Sequence, residues 1–279
     1  MTDTTKSFFI TGISSGFGKA LATEALADGH RVVGTLRDRD SIAMFEAQYP
    51  GRAFGKLLDI THISAIPAVI AEVEDQIGPI DVLVNNAGYG QEGTIEESPI
   101  DEMRRQFEVN VFGTVAVTKA VLPYMRQRRS GHIITITSMG GLTTYPGLGY
   151  YHGSKFALEG LSETLAKEVK SFGIAVTAVE PGAFRTEWAG RSMTRTTRSI
   201  SDYDELFEPL REARKQRSGR QAGDPVKAAR AILKAVASEN PPGHLLLGED
   251  AVQFVREKLA GLRAEIDAWE STSLSTAFD

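Results

Sequence analysis

SFFITGISSGFGKALATEALADGH, residues 7–30, carries three signals in a row. Residues 7–11 are a short apolar run, the pattern of a buried strand. Gly12-Ile13-Ser14-Ser15-Gly16-Phe17-Gly18 is a glycine-rich turn, and the residues after it have helical periodicity. A strand, such a turn and a helix make a phosphate-binding unit. Glycine lets the backbone turn tightly and approach a ligand, and the free N–H groups of the helix start attract a pyrophosphate. Gly12, Ser14, Ser15, Gly16, Phe17 and Gly18 are therefore candidate cofactor contacts. The spacing is G-x-x-x-G-x-G, not G-x-G-x-x-G, and glycines alone also suit a plain tight turn.

Working outward, RVVGTL (31–36) reads as a second strand and AFGKLLDI (53–60) as a third, ending at Asp59 and Ile60. A helix over 62–76 follows, then IDVLVNNAG (80–88) as a fourth buried strand ending in Asn86, Ala87 and Gly88. Strands alternating with helices predict an α/β fold with a parallel sheet. Ligands in such sheets sit at the carboxyl ends of the strands, where all these residues fall. Asp59 suits an adenine amino group. Asn86 suits either a ligand or a brace between loops. Leu36 closes strand two where NAD-binding units often carry an acid for the ribose hydroxyl, and Arg37 follows it. A guanidinium there binds a 2′-phosphate bidentately, which predicts NADP(H) over NAD(H). The alternative is a surface pair of Arg37 with Asp38 or Asp40.

Composition narrows the rest. The chain has 279 residues, 24% charged, with net charge −5, so nothing asks for nucleic acid or an anionic membrane. No cysteine is present, which excludes disulfides, thiolate nucleophiles and cysteine-ligated metals and fits a reducing cytoplasm. No long apolar run suggests a signal peptide or a membrane span. The five histidines have no metal-ligand spacing, so no metal is expected.

Ser98-Pro99-Ile100-Asp101 resembles a capping box opening a helix that carries Asn110 in an apolar stretch. A buried Asn must find partners: its own helix backbone, or a water. Ser138 ends the strand-like run HIITITS. A glycine- and proline-rich loop follows, with Gly140, Tyr145 and Leu148 as candidate pocket residues. Tyr151 and Lys155 then lie four apart on a helical pattern, so both occupy one face, one turn apart. An adjacent ammonium favours the phenolate; bringing a phenol from about 10 to ~7 takes roughly 4 kcal/mol. Taken alone, such a pair is an ordinary helix-surface feature. A further strand, IAVTAVE, leads into Pro181, Gly182, Phe184 and Thr186.

The segments T-G-x-x-x-G-x-G (11–18), N-N-A-G (85–88), Asn110, Ser138, Tyr151-x-x-x-Lys155 and Pro181-Gly182 together resemble the short-chain dehydrogenase/reductases, over about residues 5–250. Thr-Leu-Arg-Asp after strand two is similar to NADP-preferring members, including hydroxysteroid- and retinol-dehydrogenase-like ones. The resemblance implies a single-domain, Rossmann-like, doubly wound parallel sheet of order 3-2-1-4-5-6-7. It implies that Tyr151 is the acid and base, with Lys155 lowering its pKa and holding the nicotinamide ribose. Ser138 would bond the substrate oxygen, and Asn110 would hold a relay water. Pro181–Thr186 would dock the nicotinamide amide. It also implies a homodimer or homotetramer, with the helices bearing Asn110 and Tyr151 as a dimer face. Tyr150 has the wrong offset to Lys155, and Phe17 stands where the family usually has a smaller aliphatic residue.

Residues 5–185 are thus expected to form the cofactor-binding and catalytic core, 187–224 a lid on the substrate side, and 249–279 a C-terminal helix and tail. Trp188, Met193, Tyr203 and Phe207 either line an apolar pocket or anchor the lid. The lid's arginines, mixed with acids, read as a solvated helix. The reading is an oxidoreductase interconverting an alcohol and a ketone or aldehyde on an apolar or amphipathic small molecule. A non-catalytic NADP(H)-binding sensor is its main rival. A sugar-nucleotide epimerase is the other, disfavoured by the loop spacing and the lack of a larger substrate domain.

Overall fold

Phe8 and Ile10 turn to one side of the first strand and Phe9 to the other, and all three are fully buried. A strand buried on both faces needs helices on both, and the computed structural model, which describes residues 5–278, has them. Four strands in the first third, β1 (Ser7–Ile10), β2 (Arg31–Leu36), β3 (Ala53–Leu57) and β4 (Val82–Asn85), alternate with α1 (Gly16–Ala27), α2 (Arg39–Glu46) and α3 (Ile66–Gln76). A short β5 (Gly90–Glu92) leads to α4 (Ile100–Phe107), one π-helical turn (Glu108–Gly113) and α5 (Thr114–Arg128). Then come β6 (Gly131–Ile136), α6 (Gly149–Val169), β7 (Ile174–Pro181), short β8 (Met193–Arg195), α7 (Asp204–Arg217), α8 (Pro225–Val236), β9 (His244–Leu247) and α9 (Glu249–Leu274).

The main sheet runs β3-β2-β1-β4-β6-β7-β9, every pair parallel. This is the expected order once β5 and β8, which pair only with each other, are set aside. On one face Phe8, Ile10, Val84 and Val179 pack with Leu21 and Leu26 of α1 and Ile232 of α8. On the other, Phe9, Leu83 and Ile133 pack with Ile70 of α3 and Val117 and Val121 of α5. The order reverses between β1 and β4, which opens a crevice at their carboxyl ends.

Helix starts differ from expectation in two places. Ser98 does not cap α4; its hydroxyl accepts from Gln91 Nε2 at 2.9 Å, because β5 and β8 bring Gln91 and Thr196 to it. Asp101 is turned on Arg104 at 2.7 Å instead of closing a box. The third strand ends at Leu57, leaving Asp59 in a turn, and α3 starts at Ile66 after a single 3₁₀ turn. Asp224 is a true cap: its Oδ1 accepts from Val226 N at 2.8 Å at the head of α8. Asp224→Ala is expected to cost about 1 kcal/mol, read as a lower denaturant midpoint at unchanged slope.

Candidate active site

The turn after β1 is shaped for close approach. Gly12 has φ +71°, a left-handed conformation that strains any side chain. A Cβ on Gly18 would lie 2.4 Å from Gly12 O and from Asn86 Nδ2, so only glycine lets α1 start this near the turn. Asn86 is the brace: its Nδ2 donates to Thr11 O at 2.9 Å and Gly12 O at 2.8 Å. Thr11 Oγ1 in turn accepts from the N–H groups of Asn86 and Ala87. Ser14 is exposed, and Ser15 is the first residue outside α1. Phe17 meets Phe184 edge to face with centroids 5.1 Å apart, so the large residue at this position is absorbed by an aromatic pair.

Thr35 stitches the end of β2 to this turn, its Oγ1 accepting from Gly12 N at 2.9 Å. Arg37 follows two residues later, exposed, at the same strand ends. Asp38 is occupied elsewhere, its Oδ1 accepting from Ser41 N at 2.8 Å to cap α2. Asp59 Oδ1 accepts from Thr61 N and Thr61 Oγ1 at 2.9 and 2.8 Å. Partial burial works against it, but these bonds, with His62 and Arg37 nearby, hold its carboxyl below the usual range. Ile60 is buried against Gly113.

Tyr151, Lys155, Ser138 and Asn110 come together, with Asn110 and Lys155 against Gly88. A Cβ on Gly88 would lie 3.1 Å from Asn110 Oδ1 and 3.9 Å from Lys155 Nζ, so this backbone packs closely on both side chains. Lys155 Nζ donates to Ile136 O at 2.8 Å and lies 5.9 Å from the centre of the Tyr151 ring. Ser138 is close enough to the Tyr151 hydroxyl to favour its charged form, and its Oγ accepts from Gly140 N at 2.9 Å. Asn110 sits on the π-helical turn, a feature common at functional sites. It bonds across the site, not within its own helix. Its Oδ1 accepts from Tyr89 N at 3.1 Å, and its Nδ2 donates to Tyr89 O and Ser154 Oγ, both at 3.0 Å. Tyr150 points away, donating to Ser98 O at 2.7 Å.

One electrostatic expectation is corrected. Burial pushes the Tyr151 phenol up to about 12, and the Ser138 hydroxyl only partly opposes it. The Lys155 ammonium is itself buried and pushed down to about 8, with the Glu159 carboxylate pulling the other way.

On the substrate side Leu148, Tyr151, Met193 and Trp188 form an apolar cluster separate from the two core faces. The Trp188 and Tyr151 ring centroids are 5.1 Å apart. Tyr145 lies between His152, tilted at a centroid distance of 5.8 Å, and Phe254 of α9, edge to face at 5.9 Å. Buried Gly140 passes its carbonyl to His152 Nδ1 at 2.7 Å, while His152 Nε2 accepts from Tyr145 N at 2.9 Å, so this ring props the loop. Phe207 and Tyr203 are anchors: Phe207 is buried beside Gly147, and Tyr203 Oη donates to Glu96 at 2.6 Å. The arginines of residues 187–224 are not simply solvated. Arg195, Arg211 and Arg214 turn on the buried Glu92 at 3.7, 3.1 and 3.5 Å, and Arg198 bonds Glu97, Asp204 and Glu208. At the far edge Asp250 accepts from Ala183 N at 2.7 Å and lies under Gly182, fixing the run from Pro181 to Thr186. Thr186 Oγ1 accepts from Trp188 N at 3.3 Å.

A buried group beyond Lys155 had no sequence signal. Glu159 of α6 and Glu180 of β7 lie together, with His244 Nδ1 2.6 Å from Glu180 and 3.6 Å from Glu159. Burial and the Glu159 charge push Glu180 up to about 7, against its bond to His244. Those acids also raise His244, against its partial burial. From about pH 4.5 to 7 the folded protein keeps a proton on Glu180 that the unfolded chain has lost, so stability falls as pH rises through that window. His244 loses its contribution as pH rises through its own raised value, in the same direction. The unfolding free energy should therefore fall from pH 5 to 8 by a Glu180-dependent share on the order of 2 kcal/mol, read as a falling thermal midpoint, and Glu180→Gln should flatten that share. An identical pH slope in both proteins would refute the assignment.

The geometry has relatives. Residues 6–196 match the family model described as short chain dehydrogenase. A 3-ketodihydrosphingosine reductase of Bacteroides thetaiotaomicron is 39% identical over 245 residues, 86% of each chain. The crystal structure of a short-chain dehydrogenase from Streptomyces avermitilis superposes with TM-score 0.92 at 43% identity, covering 99% of this chain and 100% of that one. The structure of ElxO with NADP bound superposes with TM-score 0.73 at 26% identity, over 87% and 96%. With a glycine turn, crevice and Tyr-Lys pair in place on this sheet, the chain belongs to the short-chain dehydrogenase/reductase family and is an NAD(P)-dependent oxidoreductase.

Proposed function

We propose that the chain interconverts an alcohol and a ketone or aldehyde on an apolar or amphipathic small molecule, with NADP(H) preferred. The observation that carries this reading is the meeting of Tyr151 with Lys155 and Ser138, with Asn110 and Lys155 against the Gly88 backbone. Gly12–Gly18 and the start of α1 would hold the pyrophosphate, Arg37 the 2′-phosphate, and Pro181–Thr186 the nicotinamide amide. The bound cofactor supplies or accepts the hydride.

The chain's own residues handle the proton. Tyr151 gives it to the substrate oxygen in reduction and takes it back in oxidation. The buried phenol is neutral, which is the donating form. Ser138 donates to the same oxygen and steadies its charge. Lys155 would hold the ribose hydroxyls. Asn110 fixes the Tyr89 backbone and, through Ser154, the turn that bears Tyr151. The second lone pair of its Oδ1 suits a relay water.

The pocket supports the substrate class. Leu148, Met193 and Trp188 give it apolar walls, while the Trp188 indole N–H is buried without an acceptor among the described residues. A mainly apolar molecule with a polar group fits both facts. The name of the Bacteroides relative points to the same chemistry. Exposed Phe112, Phe156 and Leu161 suit the expected dimer face. The test follows cofactor absorbance with NADPH and NADH against ketones, quinones, steroids and aldehydes, 3-ketodihydrosphingosine included. Turnover with NADPH on an apolar or amphipathic carbonyl is expected. Tight NADPH binding with no turnover on any of them would favour the sensor.

A further inference from the structure

Helix α9 runs for 26 residues, but only its first turns touch the body. Ala251 and Val255 are buried, and Phe254 meets Tyr145. Every residue from Arg256 to Leu274 is exposed. That projecting part is not polar all round. Leu259, Leu262, Ile266 and Trp269 recur at alternating intervals of three and four, continuing the stripe that Val252 and Val255 begin. They are 57, 42, 60 and 66% exposed. Large apolar residues at this interval are the a and d positions of a helix pair. A stripe of this kind left in water marks an interaction surface.

Charge selects the occupant. The helix has six acids against three bases, so an anionic membrane would repel it. The positions flanking the stripe are Arg256, Arg263 and Glu270 on one side and Lys258 and Glu265 on the other. In a parallel pair of copies, Lys258 would face Arg263 of the second copy and Glu265 would face its Glu270, all like charges. In an antiparallel pair, Leu259 lies opposite Trp269 of the second copy and Leu262 opposite its Ile266. Arg256 then faces Glu270 at both ends. Like pairs remain only at the centre, where Arg263 is already turned on Asp267 of its own helix at 3.8 Å.

We propose that α9 is a self-association arm whose stripe packs antiparallel against the same stripe of a second copy. The surface lies outside the residues that match the family model and is separate from the α5–α6 face. It would also steady the first turns of α9, which carry Phe254 against Tyr145 at the pocket edge.

The absence of cysteine makes the test direct, since an introduced thiol is the only one in the chain. Leu259→Cys and Trp269→Cys proteins, mixed and mildly oxidised, are expected to form a disulfide-linked dimer. Each alone should not, because antiparallel pairing sets like positions about 15 Å apart along the axis, far beyond disulfide reach. In sedimentation, Leu262→Glu with Ile266→Glu is expected to halve the mass of the particle, with helix content unchanged. Cross-linking of each variant alone would mean a parallel pair and overturn the proposal. So would a mass unaffected by the double substitution with no cross-link in the mixture. Vesicle binding by the unmodified protein, lost in the double variant at unchanged mass, would assign the stripe to lipid and overturn it as well.

Discussion

Tyr151→Phe is expected to lower kcat by ~10²–10⁴ while leaving the fold intact. The substitution removes one oxygen from a buried ring. The ring's contacts with Trp188, at 5.1 Å, and with Leu148 and Met193 all survive. The lost neighbour is Ser138, whose Oγ still accepts from Gly140 N at 2.9 Å. Burial of the phenol is also unfavourable to its charged form, so nothing essential to stability is forfeited. The thermal midpoint should therefore shift by only a few degrees, roughly the effect of ~1 kcal/mol. NADPH affinity, measured by quenching of protein fluorescence, should change little. A variant that still turns over within about threefold of the unmodified protein would remove Tyr151 from the proton step. One that unfolds would show instead that the hydroxyl is structural, and Ser138→Ala, which keeps the ring and its hydroxyl, then tests the same step from the other partner.

Much of this site was legible in the sequence because it depends on local rules. Gly12 at φ +71° and Gly18 under Gly12 O are positions only glycine fills, so the spacing carries the turn. Alternating burial of Phe8, Phe9 and Ile10 carries the parallel sheet. The offset between Tyr151 and Lys155 separates the catalytic candidate from Tyr150, whose hydroxyl indeed goes to Ser98 O. What stayed hidden depends on distant segments meeting. Glu92 with the three arginines of residues 187–224 joins residues about a hundred positions apart, and Glu159, Glu180 and His244 come from three elements. Sequence also says nothing about the balance between desolvation and charge. The Tyr151–Lys155 spacing suggested a depressed phenol, whereas burial of both groups outweighs their attraction. The capping box failed for a related reason: Gln91 and Thr196, remote in sequence, compete for the Ser98 hydroxyl.

Arg37→Asp is expected to swing the ratio of kcat/KM for NADPH over NADH by a factor on the order of 10³. The bond from Gly12 N to Thr35 fixes the end of β2 against the glycine turn, which puts Arg37 on the rim where the adenosine ribose would lie. Its neighbour Asp38 turns its carboxylate on the start of α2, accepting from Ser41 N. Removing the guanidinium loses a charge-assisted pair, roughly 10–100-fold in NADPH affinity. The new carboxylate repels the 2′-phosphate and accepts from a 2′-hydroxyl, which adds the remainder through weaker NADPH and stronger NADH binding. The effect should sit in KM for the cofactor, with kcat on saturating NADH close to the unmodified value, since Tyr151 and Lys155 lie across the crevice. It should also shrink as salt rises, because Arg37 is exposed and its attraction is screened. An unmodified protein that prefers NADH, or a ratio that moves less than about threefold in the variant, would return Arg37 to the role of a surface charge and leave the proton chemistry untouched.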